Sequence, residues 1–355
     1  MDVAKGILIL LVVLGHSINV NYGFLTRADN IIYSFHMPAF FVISGYLTYI
    51  AFSGNEIIWM TKKAIQRFIP IIFFGILYYL FSYYSYMNNG FVCLPRYAND
   101  LGFFSYSYHM LLTGMGEGLW FFWSLIWCGL IIAVSHLISR KFKFGRRNEI
   151  LTYLYMCAIV CCVKLKSGNS FGVEQIQYAL PFFAGGYLIS MNIDYIKRFS
   201  MQLLVLMSVI FICLCIVNNF SIVDVNLSVW LWNMSFVNSI CRIFGAICGT
   251  AFIILLSKLF VRIIYLNIFL EYCGKNSLII YVIHPLLLAM PFIGIGIERV
   301  GVGFIVSVIA ALSFGYMMNK IWFIRAFVFG EWKDINRVGF LNRFFILTGR
   351  KFDMI

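Results

Sequence analysis

Apolar residues in this chain gather into long stretches separated by short polar connections. At 1.5 Å of rise per residue, about 20 such residues cross a hydrocarbon core about 30 Å thick. The runs predict ten spans, near residues 3–21, 34–52, 68–87, 118–138, 149–163, 176–192, 201–217, 238–257, 276–292 and 302–318. The alternation of inward and outward positions that marks a transmembrane barrel is absent. The expected class is all-α: a polytopic membrane protein built as a bundle of about ten transmembrane helices.

Charge tests that count. Between alternate spans, Lys and Arg number 21 on one side and five on the other, with Arg242 inside a span. The rich side carries Lys5, Lys62, Lys63, Arg67, the 139–149 connection and seven basic residues after Asn319; the poor side carries Arg27, Arg96, Lys164, Lys166 and Arg299. The positive-inside bias then places both termini in the cytoplasm. An added or missing span would scramble the asymmetry. The net charge of +13 therefore reflects topology, and nucleic acid is not an expected partner.

Composition agrees: 62% of the 355 residues are hydrophobic and 12% charged, against about 25% charged in soluble domains. The ten cysteines are scattered, with no C-x-x-C pair and no metal-ligand spacing. The first apolar run lacks a small-residue cleavage site, so no cleavable signal peptide is expected. Residues 1–318 form one transmembrane domain without an internal repeat. Residues 319–355 form a basic, aromatic tail suited to the cytoplasm or to an anionic membrane surface. The outer connection near 88–117 ends in Gly114-Met115-Gly116-Glu117-Gly118, a flexible lead into the aromatic span that begins Trp120-Phe121-Phe122-Trp123.

The candidate chemistry begins in the first span. Lys5 and His16 are eleven residues apart, so they fall within roughly 20° of one helix face and about 16 Å apart along the axis. With Lys5 at one interface, His16 lies near mid-membrane, where an ionisable residue is costly and marks a functional site by default. His36 stands in Ser34-Phe35-His36-Met37-Pro38. Proline favours the first helical turn, so the regular helix is expected to begin near Met37 or Pro38, with His36 at an outer N-terminus. His284, followed by Pro285, lies roughly 12 Å past the inner boundary at Asn276. Three interior histidines on separate spans suit proton transfer or nucleophilic catalysis; interhelical hydrogen bonding is the plainer account of any one of them. Lys5, Lys63 and Arg67 stand at inner helix ends, where cations suit a phosphate-bearing cytoplasmic ligand. Arg242 is either paired across the bundle or lines a polar path.

The order and spacing of these residues resemble the acyltransferase 3 family of membrane acyltransferases. The resemblance rests on Asp2-x-x-Lys5-Gly6 with Gly15-His16, Phe35-His36-Met37-Pro38 with Ser44-Gly45-Tyr46, Arg67-Phe68-Ile69-Pro70, Leu119-Trp120-Phe121, and Gly274-Lys275-Asn276-Ser277-Leu278 leading to Tyr281-Val282-Ile283-His284. The opening is most similar to the branch called fucose 4-O-acetylase-like. The resemblance implies an O-acyltransferase moving an acyl group, usually acetyl from acetyl-CoA, to a hydroxyl of a cell-surface or exported carbohydrate or glycolipid. It also implies a bacterial inner membrane and no bound cofactor beyond the acyl donor. The family's basic-residue, ten-spacer, histidine motif falls on Lys5 and His16, with lysine where other branches carry arginine. On this reading His16, His36 and His284 are catalytic and Lys5, Arg67 and Lys63 bind the donor. Asp2, Ser44, Tyr46, Trp120, Trp123, Arg242, Asn276 and Tyr281 serve structure or the acceptor side. A non-enzymatic transporter or flippase of a glycan or lipid-linked glycan is the competing class, against which the missing repeat counts.

Overall fold

A computed structural model of the chain describes residues 1–18, 23–51, 56–89, 102–113, 118–143, 145–162, 172–196, 200–217, 236–289, 299–321, 324 and 328. Among these every regular element is helical. In chain order the α-helices are α1 (Asp2–Ser17), α2 (Gly23–Ala51), α3 (Glu56–Asn89), α4 (Phe103–Thr113), α5 (Trp120–Lys141), α6 (Arg146–Cys162), α7 (Val173–Met191), α8 (Ile193–Ile196), α9 (Ser200–Val217), α10 (Phe236–Phe260), α11 (Ile264–Lys275), α12 (Ser277–Leu288) and α13 (Phe304–Asn319). A π-helical turn, Arg299–Gly303, leads into α13. Each of the ten predicted spans overlaps one helix; α4, α8 and α11 are additions. Among the described residues, five stretches are long and apolar enough to cross a membrane: Leu25–Ala51, Trp59–Ser85, Trp120–Lys141, Arg242–Phe260 and Val300–Met318. The predicted glycine-rich turn 114–117, Arg96, Lys164, Lys166 and nearly all of the 319–355 tail lie outside the described residues.

α1 sits inside the bundle, packed against α2, α10, α11, α12 and α13. Val3, Ala4, Ile7, Leu8, Val12 and Val13 are all buried, and between Lys5 and His16 the helix is apolar all round, as an enclosed helix is. The rows Phe73, Ile76, Leu80 and Tyr84 on α3, and Leu203, Leu206, Val209 and Ile216 on α9, are exposed. Apolar exposure on that scale fits lipid contact.

Glycine sets two close crossings. A Cβ on Gly6 would collide with the Leu270 carbonyl of α11, and one on Gly274 with the Asp2 carbonyl of α1. Gly45 of α2 and Gly186 of α7 stand in the same reciprocal relation, against the backbones of Phe183 and Val42. Small residues let membrane helices approach closely and gain packing where lipid offers no hydrophobic drive.

Two boundaries differ from expectation. The second span was expected to become helical near Met37 or Pro38, but α2 is already helical at Gly23 and carries Pro38 in its interior. Proline removes one backbone hydrogen bond, which packed membrane helices tolerate; Ala39, Phe40 and Phe41 around it are buried. His36 therefore lies within α2, away from the helix N-terminus at which it was expected. The first span was expected to run to residue 21, but α1 stops at Ser17. Its length of 16 residues gives about 24 Å. The Ser17 hydroxyl donates to the Leu14 carbonyl at 2.7 Å, and the Ile18 N–H turns back to the carbonyls of Leu14 and Gly15. Such local bonds compete with helix propagation.

Candidate active site

His16 occupies the last turn of α1, where the helix dipole favours positive charge. Around it the fold gathers the other two predicted histidines. The His16 and His284 rings lie 5.2 Å apart, centre to centre. His36 enters through Tyr33, whose ring packs edge-on to His36 at 4.9 Å and to His16 at 5.8 Å. The Tyr33 hydroxyl lies 3.1 Å from His16 Nδ1. Helix α1 thus brings one ring, α2 two and α12 one to a single cluster.

The three imidazoles are not equivalent. His36 and His284 are each 3% exposed, whereas His16 is accessible. His36 Nδ1 lies 2.7 Å from the Ile32 carbonyl oxygen, and His284 Nδ1 lies 3.1 Å from that of Ile280. A carbonyl only accepts, so both Nδ1 atoms carry the proton and both Nε2 atoms present a lone pair. The His284 ring also faces the Tyr281 carbonyl, one residue on from Ile280. Pro285 has no N–H for the Tyr281 carbonyl four residues back, so the proline supplies the histidine with an acceptor. His16 alone makes its Nδ1 contact to a hydroxyl, which both donates and accepts.

α12 is held from two directions. The Tyr78 hydroxyl of α3 donates to the Val282 carbonyl at 2.6 Å, and the Tyr281 hydroxyl donates to the Gly118 carbonyl ahead of α5. The Tyr281 ring lies against Phe121 and Phe122. Tyr281 thus positions His284. Asn276, 7% exposed, bonds the Tyr272 carbonyl at 2.9 Å and joins α11 to α12.

The predicted basic residues separate into two groups. Lys5 forms an ion pair with Asp2 at 2.6 Å, and its hydrogen bond holds the Asp2 carboxyl below its ordinary value of 3.8. Lys63 and Arg67 instead line a groove between α3 and α5 with Trp59, Met60, Ile126 and Gly129. Arg67 donates to the Leu125 carbonyl at 2.7 Å, and Lys63 to the Gln66 side chain at 3.0 Å. Among the acceptor-side candidates, Trp123 is buried against Trp127. Trp120 packs on Phe41 and Tyr178. Ser44 and Tyr46 are half-buried around the Gly45 crossing, and Arg242 is half-buried early in α10.

A family model described as an acyltransferase domain matches residues 1–319. The chain belongs to this acyltransferase family. The match takes in the whole histidine cluster, both glycine crossings and the groove between α3 and α5. Nodulation protein NolL of Sinorhizobium fredii (strain NBRC 101917 / NGR234) is 28% identical over 213 residues, 54% of this chain and 49% of that protein. The chain therefore spans about half the length of that relative. No solved structure matches this acyltransferase-family chain.

Tyr33 and Asp29 were not among the predicted site residues. Asp29, Tyr33 and His36 recur at intervals of four and three, the spacing of one helix face. Expecting the helix to start at Met37 put that face out of sight.

Proposed function

We propose that this protein is an O-acyltransferase of the bacterial cytoplasmic membrane that moves acetyl from acetyl-CoA to a hydroxyl of a cell-surface or exported carbohydrate. The observation that carries the proposal is the accessible His16 ring, 5.2 Å from the buried His284 ring and linked through Tyr33 to the buried His36, in a chain of the acyltransferase family.

His16 acts as the general base. Its lone pair takes the proton of the acceptor hydroxyl as the oxygen attacks the thioester carbonyl; the C–O bond forms, the C–S bond breaks, and the proton passes to the departing thiolate. The end of α1 adds a favourable field for the transient imidazolium. His284, 5.2 Å away, limits where that ring can lie. The donor's phosphates bind Lys63 and Arg67, whose guanidinium offers a planar fork of donors. Because Lys5 already pairs with Asp2, it secures the start of α1 before it serves as a phosphate ligand.

The test uses purified full-length protein, labelled acetyl-CoA and a panel of oligosaccharides. Wild type is expected to yield acetylated glycan, and His16→Ala, still present in the membrane, to lose about 10²- to 10⁴-fold in rate, the scale of general-base catalysis. Full activity in His16→Ala overturns the role of His16. Glycan movement across proteoliposomes without acetylation overturns the enzymatic reading.

A further inference from the structure

Asp29 is the unexplained polar group beside the cluster. Its Oδ1 is buried and has no hydrogen-bond partner, a costly condition for a carboxylate. The side chain stands one helical turn before Tyr33 on α2, on the same face, and interacts electrostatically with it. Both side chains press on Gly15, the residue before His16: a Cβ added there would lie 3.1 Å from the Tyr33 ring and 3.7 Å from Asp29 Oδ1. The bare backbone at Gly15 thus lets a carboxylate and a phenol close on the end of α1.

The Tyr33–His16 contact of 3.1 Å has two forms. When Tyr33 donates to Nδ1, the ring proton sits on Nε2 and the outward nitrogen cannot act as a base. When Tyr33 accepts from Nδ1–H, Nε2 presents a lone pair. Tyr33 has one proton to give; Asp29, one turn away and against the same Gly15 backbone, leaves its buried oxygen without a hydrogen bond but biases through its negative charge where that proton points. We infer that Asp29 and Tyr33 are positioning residues: the field of the Asp29 carboxylate turns the Tyr33 hydroxyl proton away from His16, Tyr33 accepts from His16 Nδ1, and the pair thereby fixes Nε2 as the working nitrogen of His16. This rests on the reading of His16 as general base. It requires no net transfer of a proton to Asp29, which only orients the hydroxyl and faces the imidazolium through it.

The test is spectroscopic, so it does not depend on knowing the acceptor. Full-length protein labelled with ¹⁵N-histidine is compared as wild type, Asp29→Asn, Asp29→Glu and Tyr33→Phe, with His16→Ala assigning the signal. The expected result is an Nδ1-protonated His16 in wild type and Asp29→Glu, and a shift toward the Nε2-protonated form in Asp29→Asn and Tyr33→Phe. An Nε2-protonated wild type overturns the inference. So does an unchanged tautomer in folded Asp29→Asn, the result expected if the buried oxygen waits for an acceptor hydroxyl instead. In turnover with labelled acetyl-CoA, Asp29→Asn is expected to lower kcat with donor KM unchanged. Full activity in His16→Ala together with the expected tautomers would sink the general-base reading and leave the positioning geometry standing.

Discussion

Gly185 and Gly186 are adjacent on α7, yet the fold treats them oppositely. A Cβ on Gly185 meets nothing within 4 Å, whereas one on Gly186 would lie 2.9 Å from Val42 Cα and nearer still to the Val42 carbonyl. Replacing either glycine by alanine gains about 1 kcal/mol of helix propensity, so the difference between the two variants isolates the crossing. The atoms struck at position 186 belong to backbone, which no rotamer change can move. Gly45 meets Phe183 in the same way from the other helix, so α2 and α7 must part. Overpacking of this kind costs about 1–3 kcal/mol, or roughly 5- to 150-fold in the folding equilibrium. Thermal unfolding of the purified full-length variants, followed by intrinsic fluorescence or monodisperse recovery, should rank Gly185→Ala at or above wild type and Gly186→Ala clearly below. The double variant Gly45→Ala/Gly186→Ala should lose less than the sum of its parts, because one separation of the helices relieves both collisions. Equal stability of Gly185→Ala and Gly186→Ala would refute the account of α2–α7 as a glycine-gated contact.

Three further outcomes follow from contacts already described. Tyr78→Phe removes the 2.6 Å bond to Val282 and should cost about 1 kcal/mol by thermal unfolding; an unchanged midpoint would show that α12 needs no such tie. Arg67→Ala should raise the KM for acetyl-CoA roughly ten- to hundredfold, the scale of a lost charge-assisted bond, and an unchanged KM removes Arg67 from the donor site. The Asp2 carboxyl is held below 3.8 by Lys5, so its contribution to stability is complete above that value and fades as the pH falls through the native one. Both side chains are partly exposed, so the effect is small; wild type should lose slightly more stability than Lys5→Met between pH 7 and pH 3, and parallel curves would discount the pair.

The sequence made the bundle legible because lipid imposes length and apolarity on each helix, and the distribution of lysine and arginine adds an independent check. The Lys5 to His16 spacing singled out the ring around which Tyr33 and His284 gather. What failed was punctuation. Pro38 reads as a helix start in water, where its missing N–H is cheapest at the first turn, but within packed membrane helices it sits inside α2 and leaves Asp29 and Tyr33 on the same rod as His36. α11 was invisible for a different reason: its 12 residues, Ile264–Lys275, are too short to span. The pairing of Gly6 with Gly274 is a fact about two surfaces meeting, which no local pattern encodes. Gly45 and Tyr281 stood in recognisable motifs, yet their roles in separating and tying helices emerged only from the packing.

The hydrogen bonds of His36 and His284 to backbone carbonyls also govern how protons are handled. A relay along imidazole rings requires each ring to receive a proton at one nitrogen and release it from the other, and a carbonyl oxygen passes nothing on. These two rings are dead ends. On the proposed mechanism, a proton taken up by His16 finds no way onward through either ring and leaves with the thiol. Acyl transfer by that route passes no proton along the histidines of the bundle.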